Sequence, residues 1–255
     1  MKDDDLLAPH APPRYSRLAV IALAAAAAAV LLVILAGPGT RAGLWHFSTG
    51  FAMMKWGAYL AVPAAVLALV SLVMPRRARG GVVPAVIALG LAAGAFAFPW
   101  RMMSIARRLP PIHDISTDTR NPPALVATIP LREKDGASNP YAYEGDSVAR
   151  LQRAAYPDVE PVMLAMTVDS AYGQAYAAAR EMGWDIVAAE RAEGRIEATA
   201  TTPWWGFRDD VVIRVAPASG IARVDVRSVS RVGRGDVGAN AARVREYIEL
   251  LKTPE

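Results

Sequence analysis

The stretch RSVSRVGRGDVG, residues 227–238, decides how the C-terminal half of this chain folds. Its first five residues continue a strand-like run that begins at Val224, and its glycine-rich part leads into a helix-like run that begins at Asn240. The letters GRGDVG match the pattern G-x-G-x-x-G of dinucleotide-binding sites. Such a site also needs a second parallel strand after the helix, and only four residues follow Leu251. We therefore expect no dinucleotide at this turn, and no other cofactor.

The residues around this stretch predict a soluble α+β domain with the element order β-α-β-β-β-β-α. Alternating apolar and polar residues mark the strands, Gly183 ends the first helix, and the last helix has apolar residues at steps of three and four. Short turns between the strands imply an antiparallel sheet with both helices on one side. The predicted strands are 162–168, 184–189, 195–202, 209–215 and 222–232, and the predicted helices are one capped by Asp169 or Ser170 and one over 240–251.

Strand alternation places a set of charged side chains on the sheet face that points away from the helices. A solvent-exposed face with cross-strand ion pairs is one interpretation. The other is a partly covered pocket in which paired arginines bind an anion, helped by the N-terminus of the last helix, although Asp236 would itself cap that helix. The candidate ligand-binding residues are Glu197, Asp210, Arg214, Asp225, Arg227, Arg231, Gly233, Asp236, Gly238 and Asn240.

The sequence contains no set of residues that indicates catalysis. Cysteine is absent and the three histidines are far apart in the chain, so we expect neither a catalytic triad nor a metal site. Asp209 and Asp210 are adjacent in a strand and therefore point to opposite faces, which makes them poor partners. We name no catalytic residue. A hydrolase acting on an envelope phosphate ester or lipid, with Asp210 and Asp225 as acid or base, stays as an alternative.

Three uncharged segments are long enough to cross a bilayer, which takes roughly 20 residues. The predicted transmembrane helices are 18–36, 56–74 and 82–100. The predicted domains are a cytoplasmic tail over 1–17, a membrane domain over 18–109, and a soluble domain over 110–255 that starts with an extended linker.

Two further segments are predicted to connect the regular elements. Residues 132–147 have the composition of an exposed loop. The aromatic loop between the first two membrane spans is typical of an interfacial or re-entrant connector, with substrate gating as the alternative.

Positive charge is concentrated around the membrane segments. Residues 1–109 carry 11 Lys and Arg against three Asp, whereas residues 110–255 carry 17 against 21 acidic residues. The basic residues therefore suit anionic lipid head groups, and the mildly acidic soluble part excludes nucleic acid as a partner. With a cytoplasmic N-terminus, the inside segments carry six Lys and Arg and the outside segments five. This small excess, with the compact MPRRARGG loop at 74–81, predicts a periplasmic C-terminal domain.

The segment GRIEATATTPWWGFRDDVVIRV and the following RVDVRSVSRVGRGDVGANAARVREYIELL resemble DUF1499, a family of domains of unknown function. The earlier PPIHDISTDTRNPP resembles the start of the domain in proteobacterial membrane-anchored members, so the resemblance covers roughly residues 110–252. It implies no catalytic role, because no activity is established for the family. The motif positions are Asp210, Arg214, Asp225, Arg227, Ser228, Ser230, Arg231, Gly233, Asp236, Gly238 and Asn240.

Together these features predict a multi-pass protein of the bacterial inner membrane. Its soluble domain is expected to bind a small anionic ligand, a lipid or a protein partner in the cell envelope. A structural assembly factor, whose polar sheet face is an interface, is the remaining alternative.

Overall fold

The computed structural model describes residues 16–74 and 81–252. It divides into two compact units, Met1–Met103 and Ser104–Glu255. The predicted cytoplasmic tail and the basic loop at 74–81 lie almost wholly outside the described residues.

Three long helices make up the N-terminal unit: α1 (Arg17–Arg41), α2 (Phe47–Val73) and α3 (Val82–Arg108). Each is long and apolar enough to cross a membrane, which confirms the three predicted spans. Alanines are buried where the helices pack, because small side chains let helix backbones approach closely. A Cβ atom at Gly57 of α2 would lie 2.9 Å from the Ala29 carbonyl oxygen of α1, so this close approach requires a glycine.

The helices are longer than the predicted spans, and the connector between α1 and α2 shrinks to residues 42–46. Phe47 and Phe51, expected in a connector, are helical instead. Pro38 and Pro99 lie inside α1 and α3 without ending them. Long apolar helices tolerate such residues because neighbouring groups satisfy the freed backbone atoms.

The C-terminal unit is α+β, as predicted, with an antiparallel sheet. The sheet order is β1-β6-β5-β4-β3, and β2 also pairs with β6. The helices α6 and α7 pack on one face of the sheet, against Ile196, Val211 and Val226 among others. The strands are β1 (Asp114–Ser116), β2 (Val162–Leu164), β3 (Asp185–Glu190), β4 (Arg195–Thr201), β5 (Arg208–Ala218) and β6 (Ile221–Ser230). The helices are α4 (Ile129–Lys134), α5 (Asp146–Ala155), α6 (Val168–Glu181) and α7 (Ala239–Lys252).

From residue 162 onward the elements follow the predicted order β-α-β-β-β-β-α, although Thr167 rather than Asp169 or Ser170 caps α6. The prediction missed β1, α4 and α5, and the segment 132–147 is not a simple exposed loop. These elements are short and are stabilised by tertiary contacts. Gln152 of α5, for example, accepts a hydrogen bond from the Ser116 N–H at 3.0 Å and donates one to the Ser116 carbonyl at 2.6 Å.

Candidate functional site

Antiparallel pairing aligns the predicted polar residues across three neighbouring strands. Glu197 of β4 pairs with Val212 of β5, which pairs with Arg227 of β6. Two residues further along β5, Arg214 pairs with Asp225 of β6. Because paired residues point to the same side, these charged groups share one face, as strand alternation predicts.

This polar face is covered by residues 117–145, which we call the cover segment. Leu125 of the cover segment packs on Val212 and Val229, and the side chains of Glu197 and Asp210 have no exposed surface. The expectation of a solvent-exposed face is therefore wrong. The sheet is buried on both sides, by helices on one and by the cover segment on the other.

Arg227 is the largest of the fully buried side chains, and its guanidinium is surrounded by acceptors. It pairs with both carboxylate oxygens of Asp114, at 2.9 and 2.7 Å, and donates to the carbonyls of Pro123 at 3.1 Å and Tyr141 at 2.9 Å. The guanidinium carbon lies 5.5 Å from the ring centre of Tyr143. Burial raises the pKa of the Asp114 carboxyl, and the bonds from Arg227 oppose that shift.

Asp210 is held between two arginines from different parts of the chain. Arg231 donates to its two oxygens at 3.0 and 2.6 Å, and Arg132 of α4 donates at 2.8 Å. Arg231 also reaches Asp135 at 2.5 Å, and the Thr199 hydroxyl donates to Asp210 at 3.0 Å. The pairs therefore fasten α4 to the sheet and neutralise the buried charges.

Glu197 holds the backbone of the cover segment. Its carboxylate accepts hydrogen bonds from the N–H groups of Val126, Ala127 and Thr128, each at 3.0 Å, and it also pairs with Arg195. Burial alone would raise the pKa of the Glu197 carboxyl, but these backbone donors outweigh burial and place the pKa below its usual range.

A third cluster joins the start of the cover segment to β5 and β6. Asp225 accepts from Arg214 at 2.7 Å and from Arg223 at 2.9 Å. The same two arginines donate to Asp118, at 3.3 and 2.7 Å, and Arg214 also donates to the Asn121 carbonyl at 3.0 Å.

The glycine-rich turn leads into α7 as predicted, and Asp236 occupies the positive end of that helix. Its carboxylate accepts from the N–H groups of Gly238 at 2.9 Å and Asn240 at 2.7 Å. Burial raises the pKa of Asp236 and these donors oppose the shift. Gly233 and Gly238 both have positive φ, 95° and 83°, which suits glycine.

Asn240 ties α7 to the sheet on the helix side. It accepts from the Ser228 hydroxyl at 2.7 Å, and its amide donates to the Ser230 hydroxyl at 2.9 Å and to the His113 carbonyl at 3.1 Å. Both serines thus bond inside the fold, as expected. The candidate residues consequently divide into two groups: the charged residues meet under the cover segment, whereas Asp236 and Asn240 work at the start of α7.

Two depressions open on the surface of the C-terminal unit. The first, which we call the apolar groove, has a volume of about 1120 Å³ and lies between β2, α6 and α7. Sequence reasoning missed it because its wall residues have the same pattern as core residues. Wall residues include Val162, Leu164, Ala177, Ile248 and Leu251.

The second depression, which we call the arginine pocket, has a volume of about 550 Å³. It is formed by residues 117–121, by the region from Arg153 to Pro161, and by Arg223 of β6. Its cations come from a loop (Arg120), from the unpredicted helix α5 (Arg153) and from the strand β6 (Arg223), and the sequence carries no signal that they meet.

Residues 114–251, more than half of the chain, match the family model described as "Protein of unknown function (DUF1499)". The chain belongs to the DUF1499 family. The comparison with curated proteins finds no match. The DUF1499 match begins at Asp114, the partner of Arg227, so the whole buried network lies in the DUF1499 domain. Both depressions lie there as well, apart from Lys252, the last residue of the groove.

Replacing Arg227 with methionine should destabilise the DUF1499 domain by about 3–5 kcal/mol, because Asp114 is then buried without its cation. Urea unfolding of the full-length chain in detergent measures this. The double variant Asp114→Leu, Arg227→Met removes both charges and should cost less than Arg227→Met alone. Arg180→Met, at an exposed position of α6, is the matched control. Equal stability of Arg227→Met and Arg180→Met would contradict the structural role of the pair.

Glu197→Gln should lower stability at neutral pH by about 1–3 kcal/mol, because an amide cannot hold three backbone donors as a carboxylate does. A carboxyl whose folded pKa is depressed stabilises the fold above its unfolded pKa, and this contribution is lost as pH falls through the folded value. The difference from the parent chain should therefore shrink once pH falls below the ordinary value of 4.5. Unfolding at a series of pH values checks it, with exposed Glu246→Gln as control. A difference independent of pH would contradict the assignment.

Proposed function

We propose that this protein is a multi-pass protein of the bacterial inner membrane whose DUF1499 domain binds a lipid on the periplasmic side. The apolar groove carries this proposal. With a cytoplasmic N-terminus, the inside segments carry six Lys and Arg and the outside segments five, which favours this orientation. An odd number of spans, three, then puts the C-terminal domain on the periplasmic side.

The groove has the size and the lining that an acyl chain needs. Its volume of about 1120 Å³ exceeds the roughly 300–1000 Å³ of most small-molecule sites, so it has room for an acyl chain. Its apolar lining includes Val162, Leu164, Ile248 and Leu251, which are at most 8% exposed. Its charged lining is exposed and consists of Asp158, Glu160, Glu181 and Lys252. Burying methylene groups against such walls contributes about 0.8 kcal/mol for each group.

An acyl chain suits this groove better than a peptide does. A peptide would bring N–H and C=O groups that need partners, and burying them unpaired is costly. The α6 wall, from Gly173 to Ala178, lies in the middle of a helix whose backbone groups already bond within the helix, whereas the α7 wall is the last turn of that helix. The third wall, β2, is only three residues long, which gives little edge for strand addition.

The buried network disfavours the hydrolase alternative. A general acid or base must come within hydrogen-bond reach of its substrate. Asp210 and Asp225 are 0% and 1% exposed and hold two arginines each. Ligand binding by Arg227 or Arg231 would likewise require the cover segment to leave the sheet. We therefore assign recognition to the open groove and stability to the polar face.

Gly173→Leu should block lipid binding. Gly173 lines the groove from α6, and a Cβ atom built there meets no other atom within 4 Å, so a leucine can extend into the space. Leucine also favours a helix over glycine, so the domain should stay folded. Native mass spectrometry of the full-length protein released from its own membranes should show a bound lipid on the parent chain and much less on Gly173→Leu.

Gly173→Ala is the matched control, since one methyl group fills little of the groove and lipid should remain bound. Equal lipid occupancy in Gly173→Leu would contradict the proposal. A parent chain that carries a protein partner and no retained lipid would favour the assembly-factor alternative instead.

A further inference from the structure

The arginine pocket contains more positive charge than its own residues neutralise. Three arginines line it, Arg120, Arg153 and Arg223, against two acids, Asp118 and Glu160. Burial alone would raise the pKa of Asp118, but hydrogen bonds from backbone N–H groups and the charges of Arg223 and Arg214 outweigh burial and hold the pKa below its usual value. Asp118 therefore stays anionic and neutralises Arg223. Arg120 and Arg153 then remain against Glu160 alone, which leaves one positive charge in excess.

These two guanidinium groups are accessible and have donors to spare. Both residues are exposed, and Arg153 donates to a neutral partner, the Thr119 hydroxyl, at 2.9 Å. Among residues 16–74 and 81–252, neither Arg120 nor Arg153 forms an ion pair. Guanidinium groups match the geometry of phosphate oxygens and bind them with charge-assisted hydrogen bonds.

The pocket and the apolar groove are neighbours. Glu160 and Pro161 line both depressions, so these two residues lie between the groove and the arginines of the pocket. An amphipathic molecule has this same arrangement of chemistry, with an apolar chain at one end and an anionic head at the other. The Glu160 carboxylate repels an anion, so it disfavours a phosphate between the two depressions and favours one beside Arg120 and Arg153.

We infer that the lipid of the apolar groove carries a phosphate head group, which the arginine pocket binds through Arg120 and Arg153. The inference rests on the proposed function and adds the class of lipid. The two arginines are positioned by elements that the buried network fixes, since the loop with Arg120 is held by Asp118, itself paired with Arg214 and Arg223.

The test compares two probes with the same acyl chains, dihexanoyl phosphatidylglycerol and dihexanoylglycerol. The first carries an anionic phosphoglycerol head group and the second a neutral hydroxyl. Full-length protein in detergent is titrated with each probe, and bound mass is followed by native mass spectrometry.

The parent chain should bind the phospholipid more tightly than the diacylglycerol. The double variant Arg120→Ala, Arg153→Ala should weaken phospholipid binding by about 10- to 100-fold, because two charge-assisted contacts are lost, and leave diacylglycerol binding unchanged. Arg150→Ala, exposed on the same helix α5 but outside the pocket, should bind both probes like the parent.

Equal binding of the two probes, or an unchanged affinity in the double variant, would overturn the head-group inference while leaving lipid binding by the groove intact. Binding of neither probe would instead overturn the proposed function. Inorganic phosphate that displaces the phospholipid at equal concentration would show that the pocket takes free phosphate, and would overturn its assignment to a lipid.

Discussion

Buried guanidinium groups determine how the DUF1499 domain is packed, because a charge removed from water costs several kcal/mol unless carboxylates and carbonyls surround it. Arg227, Arg231 and Arg132 are each at most 4% exposed. The sheet supplies the carboxylates of Asp114 and Asp210, and the cover segment supplies further partners. Carbonyls of Pro123 and Tyr141 accept from Arg227, and the backbone donors at 126–128 are used by Glu197. This use of backbone groups explains why most of the cover segment is neither helix nor strand.

The same network separates the polar face from the surface proposed to bind lipid. Its charges are paired inside the fold, so the polar face attaches the cover segment to the sheet. Asp118 and Arg223 belong both to this network and to the arginine pocket, so the pocket wall is fixed before any ligand arrives. A preformed site loses less conformational entropy on binding than one that must assemble. The stabilising network and the proposed lipid site therefore meet at the edge of the sheet where β2 pairs with β6.

The sequence was sufficient for the elements with strong periodic patterns. The three membrane helices, the strands β3 to β6 and the helices α6 and α7 follow from apolar periodicity, and strand alternation places Glu197, Asp210 and Arg227 on one face. The first part of the cover segment belongs to the predicted extended linker, but its buried contacts could not be predicted, because they join residues such as Pro123 and Arg227 that are 104 positions apart. A polar, proline-rich segment has the composition of an exposed loop until its buried partners are known. The groove and the pocket were missed for the same reason, since each combines residues from several distant elements.

Hydrogen–deuterium exchange of the full-length protein, with and without dihexanoyl phosphatidylglycerol, tests most directly the claim that the polar face is structural and the neighbouring surface binds. We predict that amides at 126–128 are strongly protected in both states, because Glu197 holds them. Lipid should increase protection at 117–121, at 158–166 and along α6, the segments that line the pocket and the groove. A ligand-dependent change confined to residues 123–145 would contradict the account, because it would mean that the cover segment moves and that the ligand binds on the polar face.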